Sequence, residues 1–240
     1  MIVVSTLSED NYKVYANQTI PSWLEFFPKD THFFIHCDFQ IPINDLRIKY
    51  FSSSQEKINF LERNKKIGRK ISDKTKGYQT KWDTYCHKVF AQCESAKNLK
   101  DETMIFIDAD VAVLKPLTTE IIYNFLEDAF CSYVSRTTLG TETGLIFYNL
   151  KLDKEKKFFN EFLEIYTSDK LFELSQWDDC FVFDKIRSTS TLSFKSMSTN
   201  YEGFVDPISV GPLGEYFDHW MGKLSKVRGY SKHRKFRGKV

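Results

Sequence analysis

Two carboxylates one residue apart, Asp108 and Asp110, interrupt the stretch Met104-Ile-Phe-Ile-Asp-Ala-Asp-Val-Ala-Val-Leu-Lys-Pro116. Residues 104–107 are apolar without alternation, the pattern of a strand buried on both faces. In open α/β sheets ligands gather beyond the carboxyl ends of such strands. Side chains two apart on extended or turning backbone point to the same side. The pair can therefore address one cation, directly or through water. Oxygen ligands suit a hard ion, Mg2+ or Mn2+, which also takes substrate phosphates. The plain alternative is that Asp110 caps a turn and Asp108 pairs with a lysine. The position at the end of an apolar run shifts the balance toward a metal or catalytic site.

A second acidic pair, Asp178 and Asp179, lies in Gln176-Trp-Asp-Asp-Cys-Phe-Val-Phe-Asp184, where a helix begins. One of them suits the N-cap; Asp179 is the better candidate for chemistry. His219 sits in Asp218-His-Trp-Met-Gly-Lys-Leu-Ser-Lys226, between Phe217 and Trp220. Taken alone it reads as a packed side chain.

The elements that must position these groups alternate. Ile2–Ser5, residues 31–37 and, more weakly, 46–51 read as strands. Residues 12–27 read as a helix that Pro21 either kinks or restarts. A helical patch surrounds Ile58, Leu61 and Ile67. Trp82, Cys86, Val89, Phe90 and Cys93 recur at helical spacing and deliver the chain to the strand before Asp108. A helix at 119–127, strands at 130–135 and 144–149, and helices around 158–166 and 177–186 follow. The remainder reads as loop, punctuated by Pro207, Gly211, Pro212 and Gly214. Strands alternating with helices indicate an α/β sheet domain.

The chain has 240 residues, 42% of them hydrophobic, enough for one large core. Its formal charge is +2, unevenly spread: residues 223–240 hold eight Lys/Arg and no Asp/Glu, which leaves 26 basic against 32 acidic side chains before them. An acidic body with a basic tail is not a uniformly basic nucleic-acid binder, and no sequence-reading motif appears. G-x-G-x-x-G and P-loop signatures are absent, so nucleotide redox cofactors and P-loop chemistry are not expected. Five cysteines without a C-x-x-C pair point to free thiols in a reducing compartment. With neither a secretory pattern at Met1 nor an ~18-residue apolar run, a soluble cytoplasmic protein is expected.

Two enzyme classes place D-x-D after an apolar strand. Haloacid dehalogenase-like phosphatases would use Asp108 as nucleophile and Asp110 as general acid, with Mg2+ and a late acidic motif at Asp178 and Asp179. Their fifth motif position is Ala112 here, and their motif usually lies on the first strand. The order of motifs more closely resembles the GT-A fold nucleotide-sugar glycosyltransferases, especially glycogenin-like and related small sugar transferases. Residues 105–117 are similar to their metal motif and the strand carrying it. Thr143-Gly-Leu-Ile-Phe-Tyr-Asn149 resembles their acceptor-side strand, 176–184 their Asp-containing segment, and 218–226 their His-x-x-Gly-x-x-Lys.

That resemblance implies a single GT-A domain at 1–222 with a mixed central sheet flanked by helices. Residues 1–110 would be its nucleotide-binding half, 111–222 its acceptor half, and 223–240 a basic tail. It implies that Asp108, Asp110 and His219 hold a cation, Mn2+ being favoured over Mg2+ by the imidazole. Asp179 or Asp178 would stand near the reacting sugar. Ser5, Thr6, Lys81 and Asp83 would face the nucleotide, with Tyr12 and Tyr78 as candidates for stacking on the base. Gly222 would admit the diphosphate. The expected lysine position is Ser225, so Lys223 and Lys226 both remain candidates. The implied partners are a nucleoside-diphosphate sugar and a glycan or lipid-linked acceptor. The tail would close over the diphosphate or touch an anionic membrane.

Overall fold

The computed structural model describes residues 1–68, 77–100, 102–136, 140–198 and 206–233. The first half runs β1 (Ile2–Thr6), α1 (Glu9–Asn11), a π-helical turn (Tyr12–Ala16), α2 (Asn17–Phe26), β2 (His32–His36), β3 (Ile48–Phe51), α3 (Gln55–Asn64), α4 (Trp82–Lys97) and β4 (Thr103–Ile107). The second half runs β5 (Val111–Val113), α5 (Thr119–Leu126), β6 (Cys131–Val134), β7 (Glu142–Asn149), α6 (Lys157–Thr167), α7 (Asp179–Thr189), β8 (Phe194–Ser196), α8 (Gly211–Gly214), β9 (Phe217–His219) and α9 (Lys223–Arg228).

Seven strands form one mixed sheet in the order β3-β2-β1-β4-β7-β6-β8. β3, β2, β1 and β4 are mutually parallel, while β7 runs antiparallel to both β4 and β6. Alternation sends successive side chains to opposite faces. In β1, Ile2 and Val4 join one core and Val3 the other; in β4, Met104 and Phe106 join the first and Ile105 and Ile107 the second. The first core is closed by α3, α4, α6 and α7, the second by α2 and α5. Burial on both faces is why these strands read as unbroken apolar runs.

The chain builds β2 and β3 on one side of β1, then returns through α4 to lay β4 on the other. Strand order therefore reverses between β1 and β4, and the crevice at their carboxyl ends is where this architecture binds ligands. A separate ribbon, β5 paired antiparallel with β9, opposes Val111 to His219.

The sequence reading needs correction in three places. The expected helix over 12–27 is divided by a π-helical turn ahead of α2, and Pro21 lies inside α2 without ending it. Val111–Val113 is a strand of its own, because β9 supplies a partner over a hundred residues away. The segment read as loop after residue 187 carries β8, α8, β9 and α9. These pieces are three to six residues long, too short to show a periodicity. Of the basic tail, 223–233 are described and 234–240 lie outside the described residues. No described helix is long and apolar enough to cross a membrane.

Candidate functional site

The turn after β4 is held from several directions. The Asp108 amide donates to Gly144 O at 2.8 Å, and Val111 N closes back on Asp108 O at 2.9 Å. Trp220 N donates to Asp110 O at 2.8 Å, tying the turn to the end of β9. From α2, the Thr19 hydroxyl donates to Ala109 O at 2.6 Å and the Trp23 indole to Val111 O at 2.7 Å, while Ser22 Oγ accepts from Val113 N at 3.0 Å. Satisfying these buried backbone groups fixes the direction of both carboxylates. A side chain at Gly144 would crowd the carboxylates, since a Cβ there would lie 3.1 Å from Asp108 Oδ2 and 3.2 Å from Glu142 Oε1.

Charge around the turn is arranged in two sets. In the first, Lys88 Nζ from α4 is 3.0 Å from both Asp108 Oδ2 and Asp179 Oδ2 and donates to Thr143 Oγ1 at 3.2 Å. Thr143 in turn donates to Asp179 Oδ2 at 2.6 Å. Burial works against the Lys88 ammonium, yet Asp108 and then Asp179 outweigh it and raise its pKa well above the ordinary lysine value. Burial raises the Asp108 carboxyl above the usual carboxylate range, with Lys88 opposing.

In the second set, His219 stands between two carboxylates, Nε2 at 3.5 Å from Asp110 Oδ1 and Nδ1 at 3.3 Å from Asp206 Oδ1. Lys226 Nζ reaches Asp110 Oδ2 at 2.7 Å and lies 4.6 Å from the ring centroid of Tyr15, which the π-helical turn presents. Burial disfavours charge on His219, but Asp206 and Asp110 outweigh it and keep the imidazolium well above its ordinary range. Burial also opposes charge on Asp110; His219 and then Lys226 hold its carboxyl well below the usual value. Ser209 braces the arrangement by donating to Asp206 Oδ2 at 2.7 Å and accepting from His219 N at 2.9 Å.

Of these groups, Tyr15, Lys88, Asp108, Asp110 and Lys226 border a cleft of about 640 Å3 that also takes in Thr6, Asp38, Lys57 and His87. Thr6 and Asp83 line it. Ser5 does not: it is fully buried, and its hydroxyl donates to Ile107 O at 2.7 Å, fastening β1 to β4. Lys81 occupies the cap position of α4 outside the cleft, and Trp82 behind it is core. Tyr12 packs near Phe39 and Tyr78 is exposed, neither lining the cleft. Gly222, at φ +83°, starts α9, whose Lys223 is exposed outside the cleft and whose Lys226 points in. Asp178 caps α7, accepting from Phe181 N at 3.0 Å, and Asp179 is fully buried at Lys88. Sequence reasoning missed Lys88, Asp206 and Ser209. Lys88 had one signal: it flanks the buried Val89 and Phe90 on α4.

Among the described residues, three groups of side chains could hold an ion: Asp108, Asp110 and His219; Glu142, Asp206 and His219; and Asp178, Asp179 and Cys180. In the second, Glu142 is already bound to Arg136 and to Gly144 N. In the third, Asp178 caps a helix and Asp179 pairs with Lys88. The first brings two carboxylates and an imidazole within 4.8 Å of one another, and both of its aspartates line the cleft. Two basic side chains already meet Asp110 there, so the place suits positive charge, and this donor set fits a hard divalent cation.

No protein-family model matches the chain, and no curated protein is similar to it in sequence. Solved structures are similar in fold. An active-site mutant of LgtC superposes with a TM-score of 0.57 at 14% identity, covering 93% of this chain and 88% of that one. The galactosyltransferase LgtC in complex with donor and acceptor sugar analogs gives 0.53 at 15% identity over 92% and 87%. The glycosyltransferase GlyE of Streptococcus pneumoniae TIGR4 gives 0.51 at 11% identity over 82% of this chain and 44% of that one. With a mixed sheet, a switch point above β1 and β4, and this set of neighbours, the chain has the GT-A fold of nucleotide-sugar glycosyltransferases.

Proposed function

We propose that this protein is a glycosyltransferase that moves a sugar from a nucleoside-diphosphate sugar to an acceptor hydroxyl of a glycan. The observation that carries this reading is the meeting of Asp108, Asp110 and His219 at the switch-point cleft of a GT-A fold. These three residues would hold a divalent cation, Mn2+ suiting the imidazole better than Mg2+. When bound, it supplies positive charge for the departing diphosphate. Lys226, within reach of the same place, adds a second positive charge to that leaving group. Lys88 links the cleft-lining Asp108 to the fully buried Asp179, which Thr143 also holds; on this reading Asp179 sets the charge beside the reacting sugar. We assign the activity to a reducing compartment, the cytoplasm, in keeping with five free thiols. No structural feature favours the phosphatase reading, in which the motif follows the first strand; here it follows β4.

The test is a panel of nucleotide sugars incubated with Mn2+ and scored for release of nucleoside diphosphate. Wild-type protein should hydrolyse one of them slowly even without acceptor. Asp108→Asn and Asp110→Asn should each lose on the order of 10²–10³-fold while keeping the wild-type melting temperature within a few degrees. Full activity of both variants in EDTA would remove the metal from the reading. Phosphate release from phosphomonoesters, without response to any nucleotide sugar, would replace it with the phosphatase.

A further inference from the structure

At the end of the cleft remote from Asp108 lies a buried lysine. Lys57 on α3 is 4% exposed, lines the cleft, and makes no ion pair among the described residues. A buried ammonium is costly unless acceptors or negative charge offset it. Its charge is felt by Asp38, His36 and His87 through space. Burial and then Lys57 hold His36 down to about 4, and the same two causes lower His87, so both imidazoles are neutral at pH 7. Asp38 lines this end of the cleft together with Lys57. Its oxygens accept from Ser53 N at 2.7 Å and Ser53 Oγ at 2.5 Å, which fix its direction.

The spacing says which part of a donor arrives there. Asp108 follows β4 and Asp38 follows β2, with β1 between them. Two strand spacings amount to about 10 Å, roughly the reach of a nucleoside from its phosphate to the edge of its base. With the diphosphate at Asp108 and Asp110, the base edge falls between Lys57 and Asp38. An ammonium only donates and a carboxylate only accepts. Together they match a ring carbonyl beside a ring N–H, the edge that uracil and guanine share. Cytosine and adenine present an amino group beside a bare ring nitrogen, which reverses the order of donor and acceptor.

We propose that Lys57 and Asp38 are specificity-determining residues that select a donor whose base carries a carbonyl beside a ring N–H. This rests on the glycosyltransferase reading, and the experiment separates the two. Calorimetric titration with UDP, GDP, CDP and ADP, each with Mn2+, compares wild type with Lys57→Met and Asp38→Asn. Wild type should bind UDP or GDP at least tenfold more tightly than CDP and ADP. Lys57→Met should weaken the preferred nucleotide at least tenfold and leave CDP and ADP within twofold. Asp38→Asn, whose amide can also donate, should narrow the gap to CDP even if the lysine variant fails to fold. Binding of none of the four by wild type would overturn the glycosyltransferase reading as well. Binding of all four alike, or equal weakening of all four in Lys57→Met, would overturn this inference alone, placing Lys57 on the shared ribose and phosphates.

Discussion

Asp178 and Asp179 are adjacent in sequence, yet the start of α7 sends them to different work. Asp178 accepts from Phe181 N as the helix cap, and burial beside Asp179 raises its carboxyl to about 6. Asp179 is fully buried and meets Thr143 and the cleft-lining Lys88. Asp179→Asn should therefore lower kcat for donor hydrolysis by about 10²-fold, with nucleoside-diphosphate affinity unchanged within twofold, because its effect lies in the transition state. Asp178→Ala should leave kcat nearly intact and cost about 1 kcal/mol in a urea melt. Equal kcat values for both variants and wild type would remove α7 from the chemistry. At this scale the places of the acidic pairs were legible, at the end of β4 and the start of α7, since an aspartate at the end of an apolar run or the start of a helix is a local signal. It carried Lys88 poorly. A lysine in a helix usually marks a solvated face, and its partners Asp108 and Asp179 come from other elements. The plain alternative for Asp108, pairing with a lysine, also describes part of what it does.

Among the elements, the short ribbon of β5 and β9 unites the two ends of the candidate metal site. Val111 pairs with His219, and the turn carrying Asp110 is tied to Trp220. The imidazole is oriented from behind by Asp206, itself braced by Ser209 and by Ile208 N. Carboxylates in that relation fix the ring and strengthen the ligand. Asp206→Ala should weaken Mn2+-dependent nucleotide binding by about 10–100-fold, with the metal-free melting temperature as a control and Asp206→Asn recovering part of the loss. Unchanged Mn2+ affinity in both variants would make Asp206 a packing residue only. The long elements were legible: β1, β2, β4, β7, α4 and α6 follow apolar runs or helical spacing. The ribbon was not, because a three-residue strand is defined by its partner rather than by its own pattern. Ser5 misled for a related reason, since a hydroxyl at the end of a strand looks available until Ile107 O is placed opposite it.

At the scale of the whole molecule, burial of neutral histidines beneath the cleft sets part of the response to acid. His36 is held to about 4, by burial first and Lys57 second, against 6.5 ordinarily. As pH falls through 6.5 the unfolded chain takes up this proton and the folded chain does not until about 4. Stability is therefore full above 6.5 and declines between 6.5 and 4, by on the order of 3 kcal/mol for this group. His87, lowered in the same direction, adds to the decline. Urea midpoints at pH 7 and 4.5 should show it, and His36→Gln should flatten the slope; an unchanged slope would place the acid sensitivity elsewhere. The pairing of Val111 with His219 has a consequence for how the molecule is made. The carboxylate pair leaves the ribosome more than a hundred residues before the histidine that completes its ligand set. Closing a loop of that length is entropically expensive and late, and synthesis proceeds from the amino end. A nascent chain thus carries the acidic half of its ion site with Lys88 already emerged to neutralise Asp108, while Asp110 waits for His219 and Lys226. Under the proposed function, ion capture is tied to synthesis through His219 and Lys226, so chains cut before residue 219 should fold a sheet without a working site.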